Sequence, residues 1–595
     1  MTGASRGVLD LALLGWREGK GRLVLASVLM VLQALALPLS APALGALTDA
    51  AIAGDARRAT AAAVLVAFLV IAALTAGHFA HIAYFELGDL NVLRLERELI
   101  ELTAGSPGLE HHERPDYADR LQVVRQELER TGWGSMQALL STLSLSVMIV
   151  VTAAILARLS PWLLLLPVAA VPSLVLGRRA ETLLARTRER AADPTRRAKH
   201  LFSLAMLGAP AKELRVCNLS SELRGRQTRA WDEATAILWR GELRAGVIRV
   251  AGQLVFAAAY IGATLLVVRD AVAGQSSVGD VVLAISLAAQ VNGQIAAAVG
   301  LLQQLQRAGQ TMADFRWIRD VIAAQAPPPP DTPLPLRITS GISLHGLEFA
   351  YPGTERPVLA GVDLTFPAGS TIAIVGENGA GKTTLVKLLC RFYEPTAGTI
   401  SLDGVDLRRF PLDDWRKRIA TGFQDFARFE FLARETVGVG DLPEIESAEA
   451  VTGALERAHG MDVLERLDDG LETLLGKSYA DGTELSGGQW QKLALGRAMM
   501  REEPLLLVLD EPTSALDAQA EHDLFERYAE SARRVAADTG AITVLVSHRF
   551  STVRMADVIL VVADGRIVES GSHDELMATR GLYAELYGLQ AAQYS

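Results

Sequence analysis

The sequence predicts two unlike halves on one chain: an all-α domain of six membrane-spanning helices, then an α/β domain. Three observations predict this. Half of the 595 residues are apolar while 21% are charged, a mixture too apolar for an ordinary soluble protein and too charged for a purely membrane-embedded one. Six apolar stretches of spanning length fall before residue 305. From residue 341 the pattern turns to short β-branched strands alternating with helices, as in an α/β fold. The net charge of −10 argues against nucleic acid as a partner, because neutralising phosphates needs a basic surface.

The apolar stretches run at 23–47, 60–86, 134–157, 160–178, 245–268 and 278–302. Each reaches or nears the ~20 residues that carry a helix across ~30 Å of hydrocarbon. Pro38 and Pro42 in the first, and Pro167 and Pro172 in the fourth, would break soluble helices but are tolerated in membrane bundles. The fourth is the weakest span. Arg17, Lys20 and Arg22 precede an apolar run far too long for a signal peptide. Connections after spans one, three and five are short. Those after spans two and four are long, charged and helical in pattern ("LGDLNVLRLERELIEL", "RRAETLLARTRERAAD"), and continue the spans into water.

Polar residues inside spans must pair or line a wet cavity. They are Gln290, Asn292 and Gln294 on span six, His78 and His81 on span two, and Gln253 and Tyr260 on span five. Interhelical hydrogen bonding is the plainer reading, a solute-facing wall the functional one; the two histidines lack a third ligand for a metal. The segment "AAQAPPPPDTPLPL" (Ala323–Leu336) is stiff and extended. It divides a membrane domain, 1–325, from a second domain, 341–595, with 326–340 as linker. Cys217 and Cys390 are too few for a disulfide framework and read as reduced, mostly buried small residues.

In the second domain "STIAIVGENGAGKTTLVKLL" is decisive. An apolar strand runs into Gly376, Asn378, Gly379, Ala380 and Gly381, then Lys382, Thr383 and Thr384 open an apolar helix. Glycines allow the close backbone approach that turns successive N–H groups toward phosphate oxygens, and the helix N-terminus adds partial positive charge. Lys382 can reach the β/γ-phosphates and the Thr383 hydroxyl can ligate Mg²⁺. In "PLLLVLDEPTSALD" a buried strand ends at Asp510, where an α/β sheet places ligand-facing groups; its carboxylate holds Mg²⁺ through water. Glu511 beside it is free of that duty and is placed to orient and deprotonate an attacking water. "VLVSHR" repeats the form, ending at His548, placed to bond a γ-phosphate. In "DGTELSGGQWQKLALGRA", Ser486, Gly487, Gly488 and Gln489 open another helix and make a second anion site.

These motifs resemble the ATP-binding cassette (ABC) transporters, and the whole chain resembles a half-size ABC exporter: six spans with two long loops, then one cassette. The resemblance implies a type IV, exporter-like membrane domain forming a domain-swapped dimer, joined to a P-loop NTPase domain, with ATP and Mg²⁺ as cofactors. It places Gln424 of "TGFQDF" on the Q-loop, catalytic and near the metal, Asp517 on the D-loop Ser514–Asp517, and Tyr351 of "FAYPG" against adenine. It turns the signature Leu485–Gln489 toward the γ-phosphate held by another cassette, so each chain carries halves of two ATP sites. Both halves are intact, which makes a homodimer the simplest assembly and a heterodimer with a sister subunit the alternative. Coupling helices are expected near 109–122 and 195–205. The stretch "KSYADGTELSGG" departs from the Glu-Arg-Gly type common before the signature. Because ATP is cytosolic and the span count even, both termini and the cassette are expected in the cytoplasm, at a bacterial inner membrane.

The expected function is ATP-driven export of an amphipathic small molecule, lipid, natural product or peptide, with membrane lipids as further partners. An importer on the exporter fold, or a membrane-bound ATPase that regulates a partner without transport, are the alternatives. The six spans exclude a soluble ABC ATPase.

Overall fold

The computed structural model describes residues 3–208, 210–354, 356–511, 533, 535–547 and 549–593. The chain divides into two compact units, Met1–Glu101 with Arg120–Ile318, and Leu102–Asp119 with Arg319–Ser595.

The first unit is built on long helices: α1 (Gly3–Ile52), α2 (Ala56–Ala104), α3 (Pro115–Leu159), α4 (Leu165–Ala169), α5 (Val171–Arg190), α6 (Ala192–Met206), α7 (Ala211–Val216), α8 (Ser220–Val272) and α9 (Val278–Ala323). Among the described residues six segments are long and apolar enough to cross a membrane, and the protein is a multi-pass membrane protein. Five of these are helices of 45 to 53 residues, more than twice the ~20 that hydrocarbon requires, so each extends well past it. The fourth is broken. A 3-10 turn Pro161–Leu164, α4 and the start of α5 share its apolar window, because Pro161, Pro167 and Pro172 each remove a backbone donor.

Small residues set the helix contacts. Gly252 of α8 lies so near α5 that a Cβ there would come within 2.9 Å of the Ser173 Cα, and Ser173 Oγ donates to the Gly252 carbonyl at 2.7 Å. At the other end of the bundle Gly45 of α1 meets Gly279 of α9, whose N–H donates to Asp49 Oδ1 at 2.7 Å. Close approach of this kind replaces the hydrophobic drive that lipid does not supply. Two of the polar span residues bridge helices. Buried Gln294 donates to Thr152 Oγ1 at 2.8 Å and Gln290 to the Leu37 carbonyl at 3.2 Å, while His81 Nδ1 pairs with the Tyr84 hydroxyl on its own helix at 2.6 Å. A cavity of 760 Å³ is lined instead by apolar residues such as Met30, Leu74 and Met148 with Gln33, Ser144 and Gln304.

Two expectations need correction here. Residues 195–205 fall inside α6, and the chain breaks later, at Leu207, Gly208 and Pro210, before α7. Glycine and proline end the helix where the charged pattern alone suggested a site one or two turns earlier. Cys217, following α7, is exposed; only Cys390 is buried.

The second unit carries ten strands among the described residues: β1 (Gly341–Phe349), β2 (Leu359–Pro367), β3 (Thr371–Gly376), β4 (Ala397–Leu402), β5 (Val405–Asp406), β6 (Ile419–Gly422), β7 (Leu506–Asp510), β8 (Ile542–Val546), β9 (Val558–Ala563) and β10 (Arg566–Gly571). One sheet has the order β2-β1-β4-β5 and is antiparallel. The other has the order β10-β9-β3-β8-β7-β6, parallel except for its β10 edge. β7 and β8 are buried at every position, as strands covered on both faces must be. Between them the two sheets enclose one core, including Ile372, Ile374, Val508 and Val544. A second core gathers Ala454, Leu475, Trp490 and Leu495.

The segment between α2 and α3 belongs to this unit. Its 3-10 turn Glu110–Glu113 sits on the residues after the helix Lys382–Leu389: the Leu109 N–H donates to the Phe392 carbonyl at 3.0 Å, and Tyr393 to Glu113 Oε1 at 2.5 Å. Asp331, in the proline-rich stretch, is fastened to the same unit through Arg409 at 2.8 Å.

Candidate nucleotide site

β3 lies between β8 and β9 with Ile372–Val375 buried, which fixes Gly376 at the C-terminal edge of the sheet. There the chain must turn within a few residues into α10 (Lys382–Leu389). Gly376 has φ of +150° and its Cβ would fall 2.2 Å from the Val562 carbonyl oxygen. Gly381, at φ +109°, is the N-cap of α10. Neither position admits a side chain. Asn378 and Gly379 form the exposed crest of the loop, with Ala380 buried beneath, and α10 is anchored by buried Leu385, Val386, Leu388 and Leu389.

Lys382 is only 8% exposed. Its Nζ donates to the Gly376 and Glu377 carbonyls, both at 2.9 Å, curling the loop around the ammonium. Burial lowers its pKa, opposed by the nearby charges of Glu511 and Asp510. Thr383 is exposed and Thr384 buried; Thr384 Oγ1 pairs with the Tyr351 hydroxyl at 3.0 Å, tying that aromatic to the first turn of α10.

Asp510 ends β7, level with Val546 on β8. It is 2% exposed, and burial raises its pKa, partly offset by a hydrogen bond from Thr383. Its Oδ1 is buried without a hydrogen-bond partner. An orphaned carboxylate oxygen is costly and fits a hard cation, as do the Thr383 hydroxyl and an amide oxygen. Among the described residues no group of three His, Cys, Asp or Glu could hold a metal by itself; Mg²⁺ needs only one or two protein oxygens when phosphates supply others. Glu511 takes the left-handed conformation, φ +47°, its N–H donating to Val546 at 2.9 Å. Gln424 lies two residues beyond β6, which pairs with β7, so it stands exposed at the same edge of the sheet.

Lys382, Thr383, Asp510 and Glu511 thus form one group. Ser486–Gln489 is built differently. Ser486 is the N-cap of the helix Gly487–Ala498, with a capping box: Gln489 N–H to Ser486 Oγ at 3.3 Å and Ser486 N–H to Gln489 Oε1 at 2.8 Å. The helix is rooted in the second core through Trp490, Leu493 and Leu495. Ser486 and Gly487 are exposed, and a Cβ on Gly487 would meet nothing within 4 Å. Packing therefore does not demand glycine there. His548, Asp517 and the rest of Ser514–Asp517 lie outside the described residues. Sequence reasoning missed Glu113, Lys387 and Tyr393 around Tyr351, since no periodic pattern joins residues so far apart.

A P-loop strand and helix, a buried carboxylate on the neighbouring strand and a serine-capped glycine turn define a nucleotide-binding domain. Residues 359–514 match the ABC transporter family, so the chain carries an ATP-binding ABC transporter domain. An ATP-dependent lipid A-core flippase of Chromobacterium violaceum is 41% identical over 266 residues, 44% of each chain. One of Chromohalobacter salexigens is 43% identical over 258 residues, 43% of this chain and 42% of that one. The matched region thus spans less than half the length of these relatives. A solved structure of a bacterial Atm1-family ABC exporter with ATP bound is similar over 96% of this chain and 98% of its own, with a TM-score of 0.78 and 25% identity. Six spanning segments followed by one such domain give the chain the make-up of a half-size ABC exporter, and the fold class is the one expected from the sequence.

Proposed function

We propose that the chain is half of an ATP-driven exporter that moves a lipid or other amphipathic molecule across a bacterial inner membrane, and that it works as a homodimer. In this reading 1–325 is the membrane domain, 326–340 the linker and 341–595 the cytoplasmic cassette. The observation that carries it is the exposed Ser486–Gly487 turn: a second anion site, in a chain that already has one, whose glycine no packing explains. A second copy of the chain, arranged head to tail, supplies the phosphate it lacks. The cavity of 760 Å³, apolar with a few amide and hydroxyl groups, suits a molecule with chain and headgroup, and relatives named for lipid A-core are 41% and 43% identical over 44% and 43% of the chain.

In this mechanism the loop Gly376–Gly381 and Lys382 bind the β/γ-phosphates, Tyr351 stacks on adenine, and Thr383, Asp510 and Gln424 would hold Mg²⁺. Bound there, Mg²⁺ withdraws charge from the phosphates. Glu511 orients the attacking water and takes its proton, with His548 and Asp517 completing the γ-phosphate surroundings by resemblance. ATP touches both cassettes only when they are closed, so it favours the closed pair by the energy of those added contacts; hydrolysis removes the bridge. Reconstitution into phosphatidylethanolamine/phosphatidylglycerol vesicles with a fluorescent phospholipid tests the reading. ATP-dependent translocation, absent in Lys382→Ala, is expected; translocation indifferent to ATP would sink it.

A further inference from the structure

We propose that Lys387, Tyr393 and Glu113 form a clasp through which the segment between α2 and α3 reads the base stacked on Tyr351. The inference rests on the assignment of Tyr351 to adenine made above. Glu113 ends the 3-10 turn Glu110–Glu113. Its Oε1 accepts from the Tyr393 hydroxyl at 2.5 Å and lies 3.6 Å from Lys387 Nζ. The same ammonium stands 5.2 Å from the centre of the Tyr351 ring, 5.6 Å from that of Tyr393, and 3.4 Å from the Tyr351 hydroxyl. Tyr351 meets Tyr393 edge to face at 5.5 Å, and its hydroxyl is tied to Thr384 on the phosphate-binding helix. One cation is therefore shared between the proposed adenine platform and a carboxylate on the connection between two spans.

Other anchors of that connection do not involve the platform. The Leu109 N–H donates to Phe392, Arg416 donates to the Pro107 carbonyl, and buried His111 pairs with Gln325. They hold the segment whatever fills the nucleotide site. Glu113 alone among these contacts leads to Tyr351. Tyr351 is half-buried, and a base stacked on it would further restrict its ring. Fixing the ring fixes both the π-face and the hydroxyl that Lys387 uses, and charge-assisted contacts in a partly desolvated setting depend steeply on geometry. Burial, and then the Glu113 carboxylate, hold the Tyr393 hydroxyl protonated, so it stays a donor. The base, rather than the triphosphate, then tightens the turn.

Hydrogen exchange of residues 105–118, in the full-length protein in lipid nanodiscs without Mg²⁺ so that nucleotide stays intact, tests this. ATP at saturation should slow exchange about tenfold, and UTP, which stacks poorly, less than about twofold. At nucleotide concentrations that saturate each variant, Lys387→Met and Glu113→Gln should lose the ATP-dependent protection, while Lys387→Arg keeps it. Full protection in Lys387→Met, equal protection by UTP, or ATP binding with no change in exchange would each overturn the clasp alone. Failure of the wild-type chain to bind ATP would overturn the proposed function and the clasp with it.

Discussion

The segment between α2 and α3 and the one between α5 and α8 begin alike, as helices running far past the hydrocarbon, yet present opposite surfaces. The first is covered: Tyr117 and His111 are fully buried, and Leu109, Pro107 and Glu113 are bonded within the second unit. The second ends in apolar side chains open to solvent, with Phe202 57%, Met206 67% and Val216 87% exposed. Water-facing tips of that composition mark interaction sites. The difference teaches that the chain covers one connection by itself and leaves the other, like Ser486 and Gly487, exposed, which is where the proposed second copy would bind.

The largest expected effect comes from Glu511→Gln, which should cut phosphate release by about 10²–10⁴-fold and trap ATP in closed pairs. In that trapped state the contrast between the connections should disappear, with the 206–217 tip gaining protection from hydrogen exchange; near-normal turnover would remove Glu511 from its role. Val216→Asp should come next. Burying one valine contributes about 1.5–3 kcal/mol, so self-association measured by mass photometry should weaken roughly tenfold or more, while the corresponding change at Leu109 should instead unfold the segment locally. Unchanged association would break the comparison.

Asp510→Asn should separate stability from activity. The folded chain holds the Asp510 proton more tightly than the unfolded chain, because burial raises its pKa. Stability from this group is complete below the unfolded carboxylate value and is lost as pH rises through the folded value. At neutral pH the asparagine variant should therefore unfold about 2 °C higher without Mg²⁺, with hydrolysis abolished; the gain should vanish in acid. A lower midpoint would contradict the buried carboxylate with its orphaned Oδ1. Smallest of all is the effect of a maleimide. Cys217 at the open tip should react quickly, whereas Cys390, fully buried with its thiol pushed up to about 12, should not. ATP should slow labelling of Cys217 once copies associate.

Most of the fold was legible because its signals are local. Span length and apolarity need no partner, and the turn from β3 to α10 is written in glycines at positions where a Cβ would strike backbone. The weakness of the fourth span was visible, but its prolines were expected to be tolerated within one helix and instead break it. What stayed hidden lies across distance. Glu113 and Tyr393 stand 280 residues apart, and neither type is unusual in its own neighbourhood. Gln294 read more plainly as a bridge than as a cavity wall, and its partner, Thr152, lies 142 residues away in the sequence. Exposure of Cys217 followed from the break at Gly208 and Pro210, which was present in the sequence but outweighed by the charged helical pattern before it.

The most direct test combines two defective chains. Ser486→Arg and Lys382→Ala chains, carrying different tags and co-purified as mixed pairs, place both lesions in one pocket and leave the other whole, if each ATP is held by Lys382 of one copy and Ser486 of its partner. The account predicts hydrolysis well above that of either parent preparation. Hydrolysis no higher than the parents would mean that each chain closes its own site, and would contradict it.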